Sequence, residues 1–471
     1  MMNVIFITSE AHPFVKTGGL GEVCGALPLA LEKIGVNVSI FLPKYGAIQW
    51  PFAVEKIDER CSRVKIGNNI PVYLIEHQDY FGRRPGLYGE DHRDYPDNLE
   101  RFQYFCCETL EVISRLNLPV DILHGHDWQS ALMPLYGREL FKNHPNASKI
   151  KTVLTVHNLA FQGVFPAEKY ATLGLDQKFF SVNGFEFYSQ INLLKGGLLF
   201  SDEITTVSPR YAQEIQTKEF GCGLQDVLKS RGKAIRGILN GLDYDFWNPQ
   251  TDPLIPAHGT DNADGNFKKA NKIHLQNILH LDASAETAIF GFVARLSHQK
   301  GVDLILDAVD ELMRKNIQVV IQGIGDSDYH RRLMEKARQY PGRLAVHLHF
   351  DEPMAHKVYA GSDFFMMPST FEPCGLGQMI ALRYGSLPIV FRTGGLADTV
   401  IPVRDNAGKA NGFVFDHYRK TDFLKTIDES LKIYKNRSLM DSMVQRAMAE
   451  DFSWTHSAQE YKRMYEWLLS A

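Results

Sequence analysis

Lys16-Thr17-Gly18-Gly19-Leu20-Gly21-Glu22-Val23 sets a cation and two adjacent glycines at the mouth of a helical pattern. Without Cβ atoms, Gly18 and Gly19 let backbone amides approach a ligand, the helix N-terminus favours negative charge, and Lys16 adds a full cation. The chemistry that suits this loop is binding of a phosphate or diphosphate. A second cluster, Arg295-Leu296-Ser297-His298-Gln299-Lys300-Gly301, carries two cations into another helix, where they can reach neighbouring oxygens of one diphosphate. A basic loop in solvent has the same composition. In the third, Pro368-Ser369-Thr370-Phe371-Glu372-Pro373-Cys374-Gly375-Leu376-Gly377-Gln378, a lone carboxylate precedes helix amides able to bind hydroxyls or anions. Glu372 either bonds a sugar or caps that helix.

His124-Gly125-His126-Asp127-Trp128 and Thr155-Val156-His157-Asn158 end two apolar runs. His-x-His places two imidazoles on one strand face, so a metal site has to be weighed. Neither a Cys nor a second carboxylate stands nearby at ligand spacing, and no metal is expected. Trp128, Phe161, Phe165 and Tyr88 offer faces for a sugar ring, or simply pack. The only Gly-Lys pairs, Gly232-Lys233 and Gly408-Lys409, are followed by Ala, which excludes a Walker A loop; Gly19-Leu20-Gly21 is followed by Glu22-Val23-Cys24, which excludes Gly-x-Gly-x-x-Gly. Asp243-Tyr244-Asp245 and Asp326-Ser327-Asp328 have the Asp-x-Asp pattern of metal-dependent sugar transferases, but their settings assign them to turns.

Short apolar runs position these clusters. Val4–Ile7, Val38–Leu42, Val72–Ile75, Ile122–Leu123, Val153–Val156 and Ile204–Val207 alternate with helical patterns such as Glu22–Ile34 and Leu99–Leu116. The alternation restarts with Ile289–Ala294, helix Val302–Arg314, Gln318–Ile321, helix Tyr329–Gln339, Ala345–Leu348, Asp363–Met367 and Leu387–Val390. Such order signals α/β architecture with two parallel, doubly wound sheets. The stretch from Asn248-Pro249 to Asp264-Gly265 lacks apolar periodicity and reads as the boundary between them. A chain of 471 residues is too long for one core, in keeping with two domains.

Composition narrows the partners. Lys+Arg 51 against Asp+Glu 55 leaves a net charge of −4, so no global field draws in nucleic acid or an anionic membrane. The six scattered cysteines fit a reducing compartment, and Met1-Met2-Asn3-Val4-Ile5 reads as a first strand rather than a leader, so a cytoplasmic location is expected. The first loop has an echo in Arg392-Thr393-Gly394-Gly395-Leu396-Ala397-Asp398. It suggests two paired halves whose strand ends face a shared crevice, or two tight turns that coincide in sequence.

Taken together, the motifs resemble the bacterial glycogen synthases and plant starch synthases, retaining glucosyltransferases with two Rossmann-like domains facing across a cleft, the GT-B fold. The resemblance rests on Lys16–Gly21, His124–Trp128, Val156–Gly163, Thr206–Pro209, Ile238–Asp243, Trp247–Pro249, Arg295-Leu296, Gln299–Gly301, Phe371–Leu376 and Thr393–Asp398, in order along nearly the whole chain. It implies transfer of glucose from ADP-glucose to the non-reducing end of an α-1,4-glucan, with release of ADP and no cofactor. The implied division is an acceptor-side domain at 1–245, a nucleotide-sugar-binding domain at 246–455, and a final helix at 456–471 that crosses back to the first domain.

By the same resemblance Lys16, Gly18 and Gly19 meet the donor from the N-terminal side, and Arg295 and Lys300 hold its diphosphate from the other. His157 lies near the glucosyl 6-hydroxyl, while Glu372 and the amides of Cys374, Gly375 and Leu376 bind other hydroxyls. Asn240 and Ser369 count among the substrate-binding positions, and Asp127 is important on the acceptor side. Phe350 stands where the family usually stacks a Tyr on adenine, and Glu22 where Asp is common. Two other readings stay open: a related transferase using a UDP-sugar, and a non-catalytic binder of nucleotide-sugar or glucan.

Overall fold

The computed structural model describes residues 2–46, 53–90, 93–139, 149–232, 235–259 and 266–470. Met1, Lys233, Ala234 and the end of the boundary stretch, 260–265, lie outside the described residues. The chain forms two compact units, Met1–Gly241 together with Trp454–Ala471, and Leu242–Ser453.

The first unit is built on a nine-stranded sheet in the order β14 (Arg236–Gly237), β13 (Glu203–Thr206), β9 (Lys151–Val156), β8 (Ile122–His126), β1 (Asn3–Ile7), β2 (Asn37–Pro43), β5 (Ile70–Ile75), β4 (Cys61–Ile66), β3 (Glu55–Lys56). Pairing is parallel from β14 to β5. β4 and β3 add an antiparallel edge that the apolar runs do not announce, because Arg63 and Lys65 break up β4. The chain winds one way through β1, β2 and β5 and the other way through β8, β9, β13 and β14, so the winding reverses between β1 and β8. In open α/β sheets ligands bind beyond the carboxyl ends of the strands at such a reversal. Two small sheets complete the unit: β6 (Gly89–Glu90) with β7 (Arg93–Asp94), and β10 (Val164–Pro166), β12 (Gln190–Asn192), β11 (Glu186–Phe187).

The second unit has a six-stranded, all-parallel sheet in the order β17 (Leu344–His347), β16 (Ile317–Gln322), β15 (Ala288–Val293), β18 (Phe364–Met367), β19 (Leu387–Phe391), β20 (Phe413–Phe415). Its winding reverses between β15 and β18. The Val/Ile/Phe runs of β15, β16 and β18 are buried almost throughout, as expected for strands covered on both faces.

The final helix, Trp454–Ser470, packs on helix Gly19–Lys33 within the first unit. Trp454, Ala458, Tyr461, Met464, Tyr465 and Leu468 recur at helical spacing on its buried face. Each large apolar side chain so buried contributes about 1.5–3 kcal/mol. Trp467, apolar by type, falls off this face: it is 43% exposed, with the Arg236 guanidinium 4.5 Å from its ring centroid.

Candidate active site

Every cluster singled out in the sequence emerges at or beside a carboxyl end of a strand. In the first unit the loop after β1 carries Lys16, Gly18 and Gly19. The helix begins at Gly19, three residues before its apolar periodicity, with Gly18 as an extended N-cap. A Cβ on Gly18 or Gly19 would meet nothing within 4 Å, whereas one on Gly21 would lie 2.5 Å from the Lys16 side chain. Gly21 is therefore a packing glycine, and Gly18 and Gly19 face open space, the arrangement of a ligand cradle.

Glu10, which the motifs did not flag, fixes this loop. Its carboxylate accepts from the Thr17 amide (2.5 Å), the Thr17 hydroxyl (2.7 Å) and the Tyr88 hydroxyl (2.7 Å). Tyr88 thus serves as a strut. Lys16 Nζ lies 2.8 Å from Glu22 Oε1, both side chains being exposed, so the Glu at this position pairs with the cation of the loop.

Across the reversal point, β8 delivers His124, His126 and Asp127, and β9 delivers His157. His126 Nδ1 and His157 Nε2 are 3.0 Å apart; His124 meets Thr155 Oγ1 at 2.6 Å and the Tyr465 hydroxyl at 2.7 Å. Burial drives His124 and His157 down to about 3 and His126 well below its usual value. All three are neutral near pH 7, so His157 suits hydrogen bonding to a hydroxyl and not a general-acid role. Asp127 sits at φ 55, an uncommon conformation for a non-glycine residue, and its Oδ1 accepts from the His157 amide at 2.7 Å. Burial pushes its carboxyl up to about 7.

Cys24, buried on the first helix, completes a group with His126 and His157 whose ligand atoms lie within 4.8 Å of one another. Sequence spacing could not see it, since Cys24 comes from another element. Holding a cation there would require breaking the His126–His157 bond and ionising a thiol that burial pushes upward. Asn240 is buried at the end of the first unit, its side-chain oxygen without a partner among the described residues.

In the second unit, the loops after β15 and β18, the strands that flank the reversal, meet directly. Lys300 Nζ is 2.5 Å from Glu372 Oε2, Ser369 Oγ donates to the same oxygen at 3.1 Å, and the Thr370 amide donates to the Gln299 carbonyl at 2.9 Å. Gly301, at φ 74, allows the approach: a Cβ there would lie 2.0 Å from the Pro368 carbonyl oxygen. Arg295 is exposed and pairs with no carboxylate among the described residues. Ser369 is buried and acts on Glu372. Cys374 and Gly375 precede helix Gly377–Arg383, for which Leu376 is the N-cap. Phe350, beyond the end of β17, is 82% exposed.

The two Thr-Gly-Gly-Leu segments do different jobs. A Cβ on Gly394 would lie 1.9 Å from the Glu372 carbonyl oxygen, and one on Gly395 2.1 Å from that of Cys374. Those glycines admit the Glu372 loop, while Gly18 and Gly19 face open space. Asp243 accepts from the Asp245 amide in a turn, as expected, but Asp326 is not in a turn: it caps helix Ser327–Gln339, accepting from the Asp328 amide in the helix's first turn.

Two reversal-point sheets, with a glycine cradle and neutral histidines on one and exposed or carboxylate-bound cations on the other, describe a two-domain glycosyltransferase of the GT-B class. The family model described as starch synthase catalytic domain matches residues 3–230, and that described as glycosyl transferases group 1 matches residues 280–447. The chain is 42% identical to a glycogen synthase of Syntrophotalea carbinolica, with 98% of each chain covered, and 42% identical to one of Bacillus cereus, covering 99% of this chain and all of that one. It resembles the catalytic domain of starch synthase IV from Arabidopsis thaliana, a structure with ADP and acarbose bound, at a TM-score of 0.88 and 33% identity over both whole chains. The chain belongs to the family of bacterial glycogen synthases and starch synthases, and its activity is the glycosyl transfer of a glycogen synthase. No helix among the described residues is long and apolar enough to cross a membrane.

Proposed function

We propose that the chain transfers glucose from ADP-glucose to the non-reducing 4-hydroxyl of an α-1,4-glucan, with retention of configuration, without a metal cofactor, and in the cytoplasm. Residues 1–245 serve the acceptor, residues 246–455 serve the nucleotide-sugar, and the final segment, 456–471, returns to the N-terminal part. The carrying observation is the Lys300–Glu372 contact beside exposed Arg295. ADP and acarbose in the starch synthase IV complex support nucleotide-sugar and glucan as substrates.

The leaving group departs as an anion, so the main demand is stabilisation of charge developing on phosphate oxygens. Arg295 and Lys300 meet it, and Lys16 with the amides of Gly18 and Gly19 adds to it from the first unit. Glu372, already held by Lys300 and Ser369, accepts hydrogen bonds from glucosyl hydroxyls, and the amides of Cys374, Gly375 and Leu376 donate hydrogen bonds to glucosyl oxygens. His157, neutral, bonds the 6-hydroxyl, and Asp127 fixes its backbone. Phe350 stacks on adenine, and Asn240 contributes a polar atom toward substrate. A retaining glycosidase sets two carboxylates about 5–5.5 Å apart with one as nucleophile. Glu372 and Asp127 are instead engaged by neighbours. Attack therefore proceeds on the leaving group's own face, through an oxocarbenium-like state, and the departing phosphate accepts the proton of the acceptor hydroxyl.

The test is a donor-by-acceptor matrix on purified protein, with ADP-glucose and UDP-glucose at equal concentration, with and without glycogen. Nucleoside diphosphate release that needs glycogen and favours ADP-glucose is expected. Preference for UDP-glucose overturns the donor assignment, and no release from either donor overturns catalysis.

A further inference from the structure

The small sheet β10–β12–β11 ends in a two-residue hairpin whose central residues, Tyr188 and Ser189, both have positive φ, 50 and 62. Such turns favour Asn and Gly, and a tyrosine there is held in an unfavourable conformation by its surroundings. The restraints are visible. Buried Lys195 donates to the carbonyls of Val182 (2.7 Å) and Glu186, and the Ser189 amide donates to Glu186 Oε1 at 2.8 Å. The Phe187 ring stands edge-on to Tyr188, centroids 4.7 Å apart. What this framework presents is a tyrosine 79% exposed.

The surface around it carries a half-buried carboxylate, Glu186, engaged by the Ser189 amide, and it is joined to the segment that follows His157. Phe161, 60% exposed, follows His157 by four residues in a turn closed by its amide on the Asn158 carbonyl. Gln162 bonds the Cys222 carbonyl at 2.9 Å, Asn192 bonds Gln162 at 2.6 Å, and Gly163 lies against the Trp128 ring. Gly223 lies against Phe187 and Tyr188. Val164, Val182, Asn183, Ser189 and Gln190 are exposed nearby. Exposed aromatic faces flanked by amide and hydroxyl groups suit the apolar faces and hydroxyls of a polysaccharide.

We propose that Tyr188 and Phe161 form a stacking platform for the acceptor α-glucan, engaging glucose units some distance from the chain end that reacts. This rests on the glucan acceptor assigned above and adds a second foothold for the same chain. It explains why a strained, exposed tyrosine is kept at the hairpin tip, since ring contact with sugar faces requires projection from the surface.

The test compares Tyr188→Asn, which suits the turn but lacks the ring, with Tyr188→Trp, which keeps a ring. In native gels containing amylopectin and no donor, the parent and Tyr188→Trp are retarded and Tyr188→Asn much less so. In turnover, Tyr188→Asn raises KM for glycogen by about three- to tenfold, the range of one aromatic contact, while KM for ADP-glucose, kcat and the kinetics on maltotriose stay unchanged. Equal retardation of parent and Tyr188→Asn, or equal losses on glycogen and maltotriose, overturns the platform. Retardation without any turnover in the parent overturns the assigned reaction and leaves the platform standing.

Discussion

Lys300 Nζ sits 2.5 Å from Glu372 Oε2, tying the loop that follows β15 to the loop that follows β18. The cation proposed for phosphate thus orients the carboxylate proposed for glucose, and one contact couples recognition of both halves of the donor. Lys300→Ala should lower kcat by about two to three orders of magnitude, as loss of one preorganised charge contact does. Glu372 then loses its orienting partner, so KM for the donor rises too. Kinetics of ADP release measure both effects.

Arg295 differs in having no carboxylate partner among the described residues. Arg295→Ala should therefore leave the melting temperature essentially unchanged while turnover falls by orders of magnitude. Thermal denaturation alongside ADP release separates the two; near-normal turnover contradicts the assignment.

Lys16 and Glu22 form an exposed pair, a class worth about 0–1 kcal/mol. A diphosphate can outcompete so weak a partner, but at some cost in affinity. Glu22→Gln should lower KM for the donor by roughly two- to fivefold at low salt, with the effect fading as ionic strength rises. A KM titration against salt checks this.

Asp127 supplies a pH signature. Its folded carboxyl is raised to about 7 from 3.8, so the stability it contributes is present below pH 4 and lost as pH rises toward 7. The three depressed histidines act oppositely, their contribution present above about 6.5 and lost as pH falls below it. Comparing Asp127→Asn with the parent cancels the histidines. The variant should gain on the parent by up to roughly 4 kcal/mol between pH 4 and pH 8 in urea unfolding, and a difference independent of pH contradicts the burial account.

The double winding was legible in the sequence because fully buried strands leave unbroken Val/Ile/Phe runs, as in Ile289–Ala294. β4 was not, since Arg63 and Lys65 interrupt its pattern. The cations and Glu372 were readable because glycine, charge and strand ends coincide locally. Glu10 was missed because its role lies in bonds to Thr17 and Tyr88 that no motif marks, and Cys24 because it meets residues from other segments. Gly394 and Gly18 share a motif but differ in what surrounds them, and only packing separates a crowded glycine from an open one. Trp467 shows the same limit: it is apolar by type, but it lies off the buried face of its helix and against Arg236.

The final helix braces the histidine wall through Tyr465 and His124. Tyr465→Phe leaves a buried imidazole nitrogen without that partner and should cost about 1–3 kcal/mol, read as a lowered urea midpoint.

Chelation bears on the leaving-group argument. With cations of the chain stabilising the diphosphate, activity should persist in excess EDTA; its loss there, with recovery on adding Mg²⁺, would show that the phosphate charge is met by a metal.

The most direct measurement is a crystal structure with ADP bound. The account predicts diphosphate oxygens within about 2.7–2.9 Å of both the Arg295 guanidinium and Lys300 Nζ. A diphosphate ordered elsewhere, with both cations unengaged, would contradict it.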